Sequence, residues 1–210
     1  MKKQILISGT GGISKEVLCL INDLGRYDEV LGFIEPDFIL DRESTPKEIL
    51  GKPVLPYSAV DINKHIVSLA MGDSKIREKS ISQLPKGLEF ITLIHPSAVI
   101  SPWVEIGEGA VICAGTIITC DIKIGKHAQL NLNTTIGHDC VIGDFFTTAP
   151  NVNISGNCTF GNHVYFGTSS SIKQGISIKE NTVIGMGAIV TKDIEEPGVY
   201  VGIPAKKLKK

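Results

Sequence analysis

The segments Thr134-Thr135-Ile136-Gly137-His138-Asp139 and Cys140-Val141-Ile142-Gly143-Asp144-Phe145 are two copies of one six-residue pattern, and that pattern decides the fold. Each opens on a small residue, carries isoleucine at its third place and glycine at its fourth. The register runs in both directions without insertion from Ala98 to Asp193, sixteen hexads in all. First places include Ala110, Ala128, Cys140, Val152, Cys158 and Ala188. Third places include Ile112, Ile124, Leu130, Phe160, Ile172 and Val190, with Thr148 the one polar residue among them. Places one and three face the same way in an extended strand. Each hexad therefore reads as a short strand with two inward side chains, followed by a tight turn. The fourth-place glycines, such as Gly107, Gly125 and Gly161, are expected to give that turn a backbone conformation other residues resist. One hexad cannot bury its inward face, whereas stacked coils build a continuous core, so the repeat predicts a parallel β-helix.

This run resembles the hexapeptide-repeat family. The resemblance implies a left-handed helix with three hexads per triangular coil, so that residues eighteen apart stack in one column about 4.8 Å apart. Cys140 and Cys158 are then stacked core neighbours, read as small apolar filler with reduced thiols. His127 and His163 share a column but lie two coils apart, roughly 10 Å. That is too far for one metal within a subunit, and no metal is expected.

The chain has 210 residues and a formal net charge of −1, which gives no general reason to expect nucleic acid or anionic membrane as a partner. No run of eighteen apolar residues occurs, and Met1-Lys2-Lys3 leads into a strand-like stretch, so membrane insertion is not expected and a cytoplasmic location is. The five cysteines show no metal-ligand spacing. Lys206, Lys207, Lys209 and Lys210 form a small basic cluster at the C-terminus.

Before the repeat, Gln4 to Ile7 reads as a buried strand that runs straight into Gly9-Thr10-Gly11-Gly12. An amphipathic helix is expected from about Ser14 to Leu24, then a strand over Val30 to Ile34 that ends in Glu35-Pro36-Asp37. This is the opening β-α-β of a nucleotide-binding domain, with a glycine turn over a helix N-terminus and acids at the second strand's tip. Gly51 to Leu55 reads as a connecting strand, His65 to Ala70 as a buried strand closing on Met71-Gly72-Asp73, Ser74 to Leu84 as a helix, and Phe90 to Ile94 as a final strand. The expected organisation is an α/β, Rossmann-like nucleotide-binding domain over residues 1–90, whose ligand the resemblance below implies to be a nucleotide-sugar, and a linker over 91–97. A left-handed β-helix domain with a C-terminal tail follows over 98–210.

Several separated motifs together resemble the two-domain acetyltransferases that include sialic-acid O-acetyltransferases and N-acetyltransferases for nucleotide-linked amino sugars. They are the glycine turn with Lys15-Glu16-Val17, Met71-Gly72-Asp73 with Arg77, His95-Pro96-Ser97-Ala98, Gly137-His138-Asp139-Cys140-Val141-Ile142-Gly143 and Gly202-Ile203-Pro204-Ala205-Lys206. Ile13 departs from that pattern, where the family commonly carries histidine.

The resemblance implies acetyl transfer from acetyl-CoA to a nucleotide-linked 4-amino-4,6-dideoxy sugar, in a homotrimer with its active site between subunits. O-acetylation of a sialic acid and a non-catalytic nucleotide-binding scaffold are the alternatives. Attack of an amine on a thioester needs a proton acceptor and donors for the developing oxyanion. His138, at the fifth place of its hexad, points outward and is the candidate base, since imidazole titrates near neutrality. Asp139 would orient it, and Gly156, one coil beyond, would offer an exposed N–H as oxyanion donor. Thr147, Gly167, Thr168, Gly185 and Met186 are implied along the pantetheine arm of acetyl-CoA, and Gly202, Pro204 and Ala205 at its nucleotide end. Gly9, Gly11, Gly12, Glu35, Asp37, Gly72 and Asp73 are implied around the nucleotide of the sugar substrate.

Overall fold

The computed structural model describes residues 2–40 and 42–209. The chain divides into two compact units, one ending at Leu93 and the other beginning at Ile94. Residues 91–97, expected as a linker, are thus shared between them.

The first unit is a small doubly wound sheet. Strand β1 (Gln4–Ser8) leads into helix α1 (Gly12–Asp23), then β2 (Val30–Glu35) and the short α2 (Asp37–Leu40). There follow β3 (Glu48–Ile49), β4 (Lys52–Pro56), β5 (His65–Leu69) and helix α3 (Ser74–Gln83). The sheet order is β3-β4-β2-β1-β5; β4, β2, β1 and β5 run parallel, and β3 pairs antiparallel at the edge. Ile5, Leu6, Ile7, Phe33, Ile34, Val67 and Leu69 are buried in this sheet, the near-continuous apolar run of strands covered on both faces. β1 has β2 on one side and β5 on the other, so the sheet's switch point lies at its C-terminal end.

Two readings of this unit change. Helix α1 begins at Gly12, two residues earlier than expected, which places the glycine turn against its first turn. The strand expected over Phe90 to Ile94 shrinks to Leu93–Ile94, with Phe90 making a single parallel bridge to Val67.

The second unit is the coil. Each of the sixteen hexads forms one strand of two or three residues, from Val99–Ile100 to Ile189–Val190. Each of the first thirteen strands pairs in parallel with the strand eighteen residues on, as Ile118 with Ile136, Ile124 with Ile142 and Leu130 with Thr148. First and third places fill the core: Ala110, Ala128, Cys140, Phe146, Val152, Cys158, Val164 and Ala188 are fully buried. The exception at Thr148 is compensated within its own hexad. Phe146 takes the place of a small first residue and packs against Phe160 and Phe166 at ring-centre distances of 5.2 and 5.9 Å. The buried Thr148 hydroxyl accepts from the Asn131 N–H (3.0 Å) and bonds the Thr134 hydroxyl (2.7 Å), so no polar atom there is left bare.

The fourth-place glycines have a different cause from the one expected. Positive φ belongs to the sixth place: from Gly109 to Gly187 all fourteen sixth-place residues have φ between 55° and 78°, whether Gly, Asp, Asn, His, Phe or Ser. The fourth-place glycines do not share it. They are required because successive coils touch there. A Cβ on Gly107 would lie 2.6 Å from the Gly125 carbonyl carbon, and one on Gly167 would lie 2.6 Å from the Met186 nitrogen.

The last coil is closed by Gly198–Val201, which pairs in parallel with Thr182–Ile184, and by Lys206–Lys207, which folds back antiparallel on it. No helix among the described residues is long and apolar enough to cross a membrane.

Candidate active site and nucleotide crevice

His138 and Asp139 sit at a corner of the coil, fixed by backbone bonds to both neighbouring coils. The Asp139 N–H donates to the Cys120 carbonyl (3.1 Å), and the Asn157 N–H donates to the His138 carbonyl (2.7 Å). Their side chains are about half exposed, and His138 Nδ1 lies 2.5 Å from Asp139 Oδ2. With the carboxylate accepting from Nδ1–H, a neutral imidazole keeps its lone pair on Nε2.

The imidazole lies over Gly156. A Cβ there would fall 2.7 Å from Cε1 and Nε2 and 3.0 Å from Cδ2 of the ring. Gly156 is consequently buried, so the expectation of an openly exposed N–H at that position changes. A Cβ on Gly137 would in turn lie 2.6 Å from the Gly156 nitrogen. Gly137, Gly156 and the His138 ring therefore form a stack in which neither glycine has room for a side chain. The Gly156 N–H meets no acceptor among the described residues.

Cys140 and Cys158 are both inward, fully buried and free. The hydrogen bond with Cys158 and burial push the Cys140 thiol up, which keeps it protonated. In the next column of corners the Phe145 ring stacks between His127 (5.2 Å) and His163 (4.9 Å). No group of three or more His, Cys, Asp or Glu side chains is arranged to hold a metal ion among the described residues.

Thr168 and Met186 are exposed in one outward column, Met186 at 81%. Gly167 is buried beneath the close approach to Met186, and Gly185 lies equally close to Val201. Thr147 differs: it is buried, and its hydroxyl donates to the Phe145 carbonyl (3.3 Å), so it does not offer a free hydroxyl to an outer groove. Gly202 and Pro204 are exposed in the turn between the last two strands, and the Ala205 N–H donates to the Ile189 carbonyl (2.8 Å). In the basic cluster Lys207 pairs with Glu196 (2.8 Å), and Lys210 lies outside the described residues.

In the first unit a crevice of about 500 Å³ opens at the C-terminal ends of β1, β2 and β5. Gly9, Gly11, Gly12, Glu35, Gly72 and Asp73 all line it. Gly9 has φ +111° and its Cβ would lie 3.1 Å from the Ala70 carbonyl oxygen, so both the turn and the approach to the end of β5 require glycine. Gly11 caps α1 without a side chain, which leaves the N–H groups of the first turn open to the crevice. Glu35 accepts the Thr10 hydroxyl (2.7 Å), and Asp73 caps α3 through the Lys75 and Ile76 N–H groups.

Asp37 does not line the crevice. Its carboxylate instead takes the Ser58 hydroxyl (2.5 Å) and N–H (3.2 Å), and the hydroxyl bond holds its carboxyl below the usual carboxylate range. Sequence reading also missed part of the wall. Tyr57 bonds Ser8 (2.6 Å) and Ser80 (3.2 Å) at the crevice floor, and Lys79, Ser80 and Gln83 come from one face of α3. The spacing of that face was visible in the sequence; its direction was not. Arg77 is buried and donates to the Met71 (2.7 Å) and Gly72 (3.2 Å) carbonyls, which fixes the end of β5; burial pushes its pKa down to about 9.

Residues 4–84 match the PglD N-terminal domain, and residues 98–120 and 157–192 match the hexapeptide repeat of succinyl-transferase. The structure of WeeI from Acinetobacter baumannii AYE is 34% identical, with 99% of this chain and 100% of that chain covered and a TM-score of 0.88. The chain belongs to the two-domain hexapeptide-repeat acetyltransferases. Perosamine N-acetyltransferase from Caulobacter crescentus, solved in complex with CoA and GDP-perosamine, superposes with a TM-score of 0.89 at 27% identity over 100% of this chain and 99% of that one. UDP-N-acetylbacillosamine N-acetyltransferase from Bacillus subtilis is 34% identical over 114 residues, 53% of this chain. The match spans about half the length of that curated relative, 52%. As in other hexapeptide-repeat acetyltransferases of this type, the coil is of the left-handed β-helix class.

Proposed function

We propose that the protein transfers the acetyl group of acetyl-CoA to the amine of a nucleotide-linked 4-amino-4,6-dideoxy sugar. The observation that carries this reading is the His138–Asp139 pair at an exposed coil corner, its ring seated on Gly156, in a chain whose other unit holds a glycine-lined crevice. In the proposed reaction Nε2 of His138 takes the proton as the amine attacks the thioester carbon. Asp139 holds the ring and stabilises its charged form, and the Gly156 N–H meets the oxyanion. The C–S bond breaks, and the His138 imidazolium returns that proton to the departing thiolate, leaving an amide and free coenzyme A thiol.

The crevice fits a nucleotide: open N–H groups at the start of α1 suit phosphate, and Glu35 at the tip of β2 suits ribose hydroxyls. Acetyl-CoA fits the outer column of Thr168 and Met186, with the Gly202–Ala205 turn and its lysines toward the phosphates. By the same reading the protein is a homotrimer with acetyl-CoA between subunits. Relatives that bear on this are named for N-acetylation of perosamine and of UDP-N-acetylbacillosamine.

The test is thiol release from acetyl-CoA with UDP-, dTDP- and GDP-linked 4-amino sugars, run beside free sialic acid. Turnover with an amino sugar supports the reading. Turnover with sialic acid alone, or with neither, overturns it.

A further inference from the structure

Ile76, Lys79, Ser80 and Gln83 line the crevice at the i, i+3, i+4, i+7 spacing of one face of α3. The charged side chains on the crevice wall are Glu35, Asp73 and Lys79. Glu35 already accepts from Thr10, and Asp73 is engaged as the cap of α3. Arg77 is buried and holds the carbonyls at the end of β5, so it is not a cation of the wall. The floor is neutral: the buried Tyr57 hydroxyl bonds the hydroxyls of Ser8 and Ser80, both buried, and burial pushes the Tyr57 phenol up. Lys79 is exposed and makes no ion pair among the described residues.

Two carboxylates against one ammonium leave the wall net negative. A diphosphate, itself doubly charged or more, is repelled by that wall unless a cation faces it. We propose that Lys79 is the counter-charge for the diphosphate of a nucleotide-linked sugar, and that it makes the crevice select nucleoside diphosphates over monophosphates. By this proposal the open N–H groups of α1 take the first phosphate and the Lys79 ammonium, on another wall of the same crevice, takes the second. The inference rests on the nucleotide-sugar reading of the crevice and adds the residue that sets its phosphate number. Selection of this kind also separates a nucleoside diphosphate sugar from a free or monophosphate-linked acid sugar, before any acetyl transfer takes place.

Titration calorimetry of the 210-residue chain with UDP, dTDP, GDP and the three matching monophosphates, without acetyl-CoA, tests the inference. For the native protein at least one diphosphate is expected to bind more tightly than its monophosphate, with an affinity that falls as salt rises. Lys79→Met should weaken that diphosphate about tenfold, or about 1.4 kcal/mol, and flatten the salt dependence, while the monophosphate changes little. Lys79→Arg should keep most of the affinity. Equal binding of the diphosphate by Lys79→Met and the native protein overturns the inference, as does equal binding of di- and monophosphates or no binding of any of the six. Nucleotide binding without acetyl transfer would leave Lys79 in its role and remove the acetyltransferase reading instead.

Discussion

Gly156→Ala is the sharpest perturbation of the catalytic corner, because it adds one methyl group under the imidazole. The new carbon lies 2.7 Å from Cε1 and Nε2 of His138 in the native geometry. Carbon contacts settle at about 3.5–4.0 Å, so the ring must move by about 1 Å. The His138–Asp139 bond is 2.5 Å long and cannot follow that shift without lengthening. A displacement of about 1 Å between reacting groups costs on the order of a hundredfold in rate, equivalent to about 2.7 kcal/mol of transition-state stabilisation.

The backbone at Gly156 is outside the left-handed region, so alanine imposes no strain there, and the half-exposed imidazole can swing outward. Thermal stability should therefore stay within a few degrees of native. The assay is thiol release under saturating acetyl-CoA, with kcat and both KM values measured. The expectation is a kcat about a hundredfold lower, with KM for acetyl-CoA little changed. In a His138→Ala background the same alanine should cost little more, because the group it displaces is gone. A Gly156→Ala protein within threefold of native activity would refute the seating argument. So would a full additional loss in the double variant, which would assign the effect to the Gly156 N–H alone.

Two predictions concern the scaffold. Thr148→Val keeps the shape of the side chain but leaves the part-buried Asn131 N–H without its acceptor and the buried Thr134 hydroxyl without that partner, so urea unfolding should show a loss of about 1–3 kcal/mol; an unchanged midpoint would mean the bonds contribute nothing. Glu29 is held down to about 2, chiefly by its hydrogen bond to Arg26 and then by the one to Lys2. A carboxyl depressed in the folded state contributes stability above its ordinary value of 4.5 that is lost as pH falls toward 2. The gap in urea midpoint between native protein and Glu29→Gln should be constant above pH 5, close between those two values and shrink in high salt. A gap that stays open at pH 2 would contradict the assignment.

The coil was legible in the sequence because the first place of each hexad is mostly small or apolar and the third apolar in all but one, and a fixed period of six exposes that demand. Thr148 broke the pattern in sequence, and only the structure shows Phe146 filling the volume it gives up. The reason for the fourth-place glycines was misread, since a close approach between coils and a positive φ leave the same letter. The corners that do carry positive φ were invisible, because His127, Phe145, Asn157 and Ser169 share a backbone conformation without sharing a residue type.

His138 and Asp139 were readable from the register, as their places put them outside the core. The crevice was readable where glycines mark a turn. It was not readable at Asp37, which Ser58 engages across 21 residues, nor at Tyr57 and Lys79, because a residue's direction toward a cavity depends on packing that no local pattern encodes.

The most direct test of the central claim is a single reaction series with purified protein, acetyl-CoA and nucleotide-linked 4-amino sugars, followed by mass spectrometry of the sugar product. The account predicts a gain of one acetyl group on the amine, lost by on the order of a hundredfold or more in His138→Ala, with the variant still folded and in the same oligomeric state. No acetylated product from any nucleotide-linked amino sugar, or full turnover by His138→Ala, would contradict it.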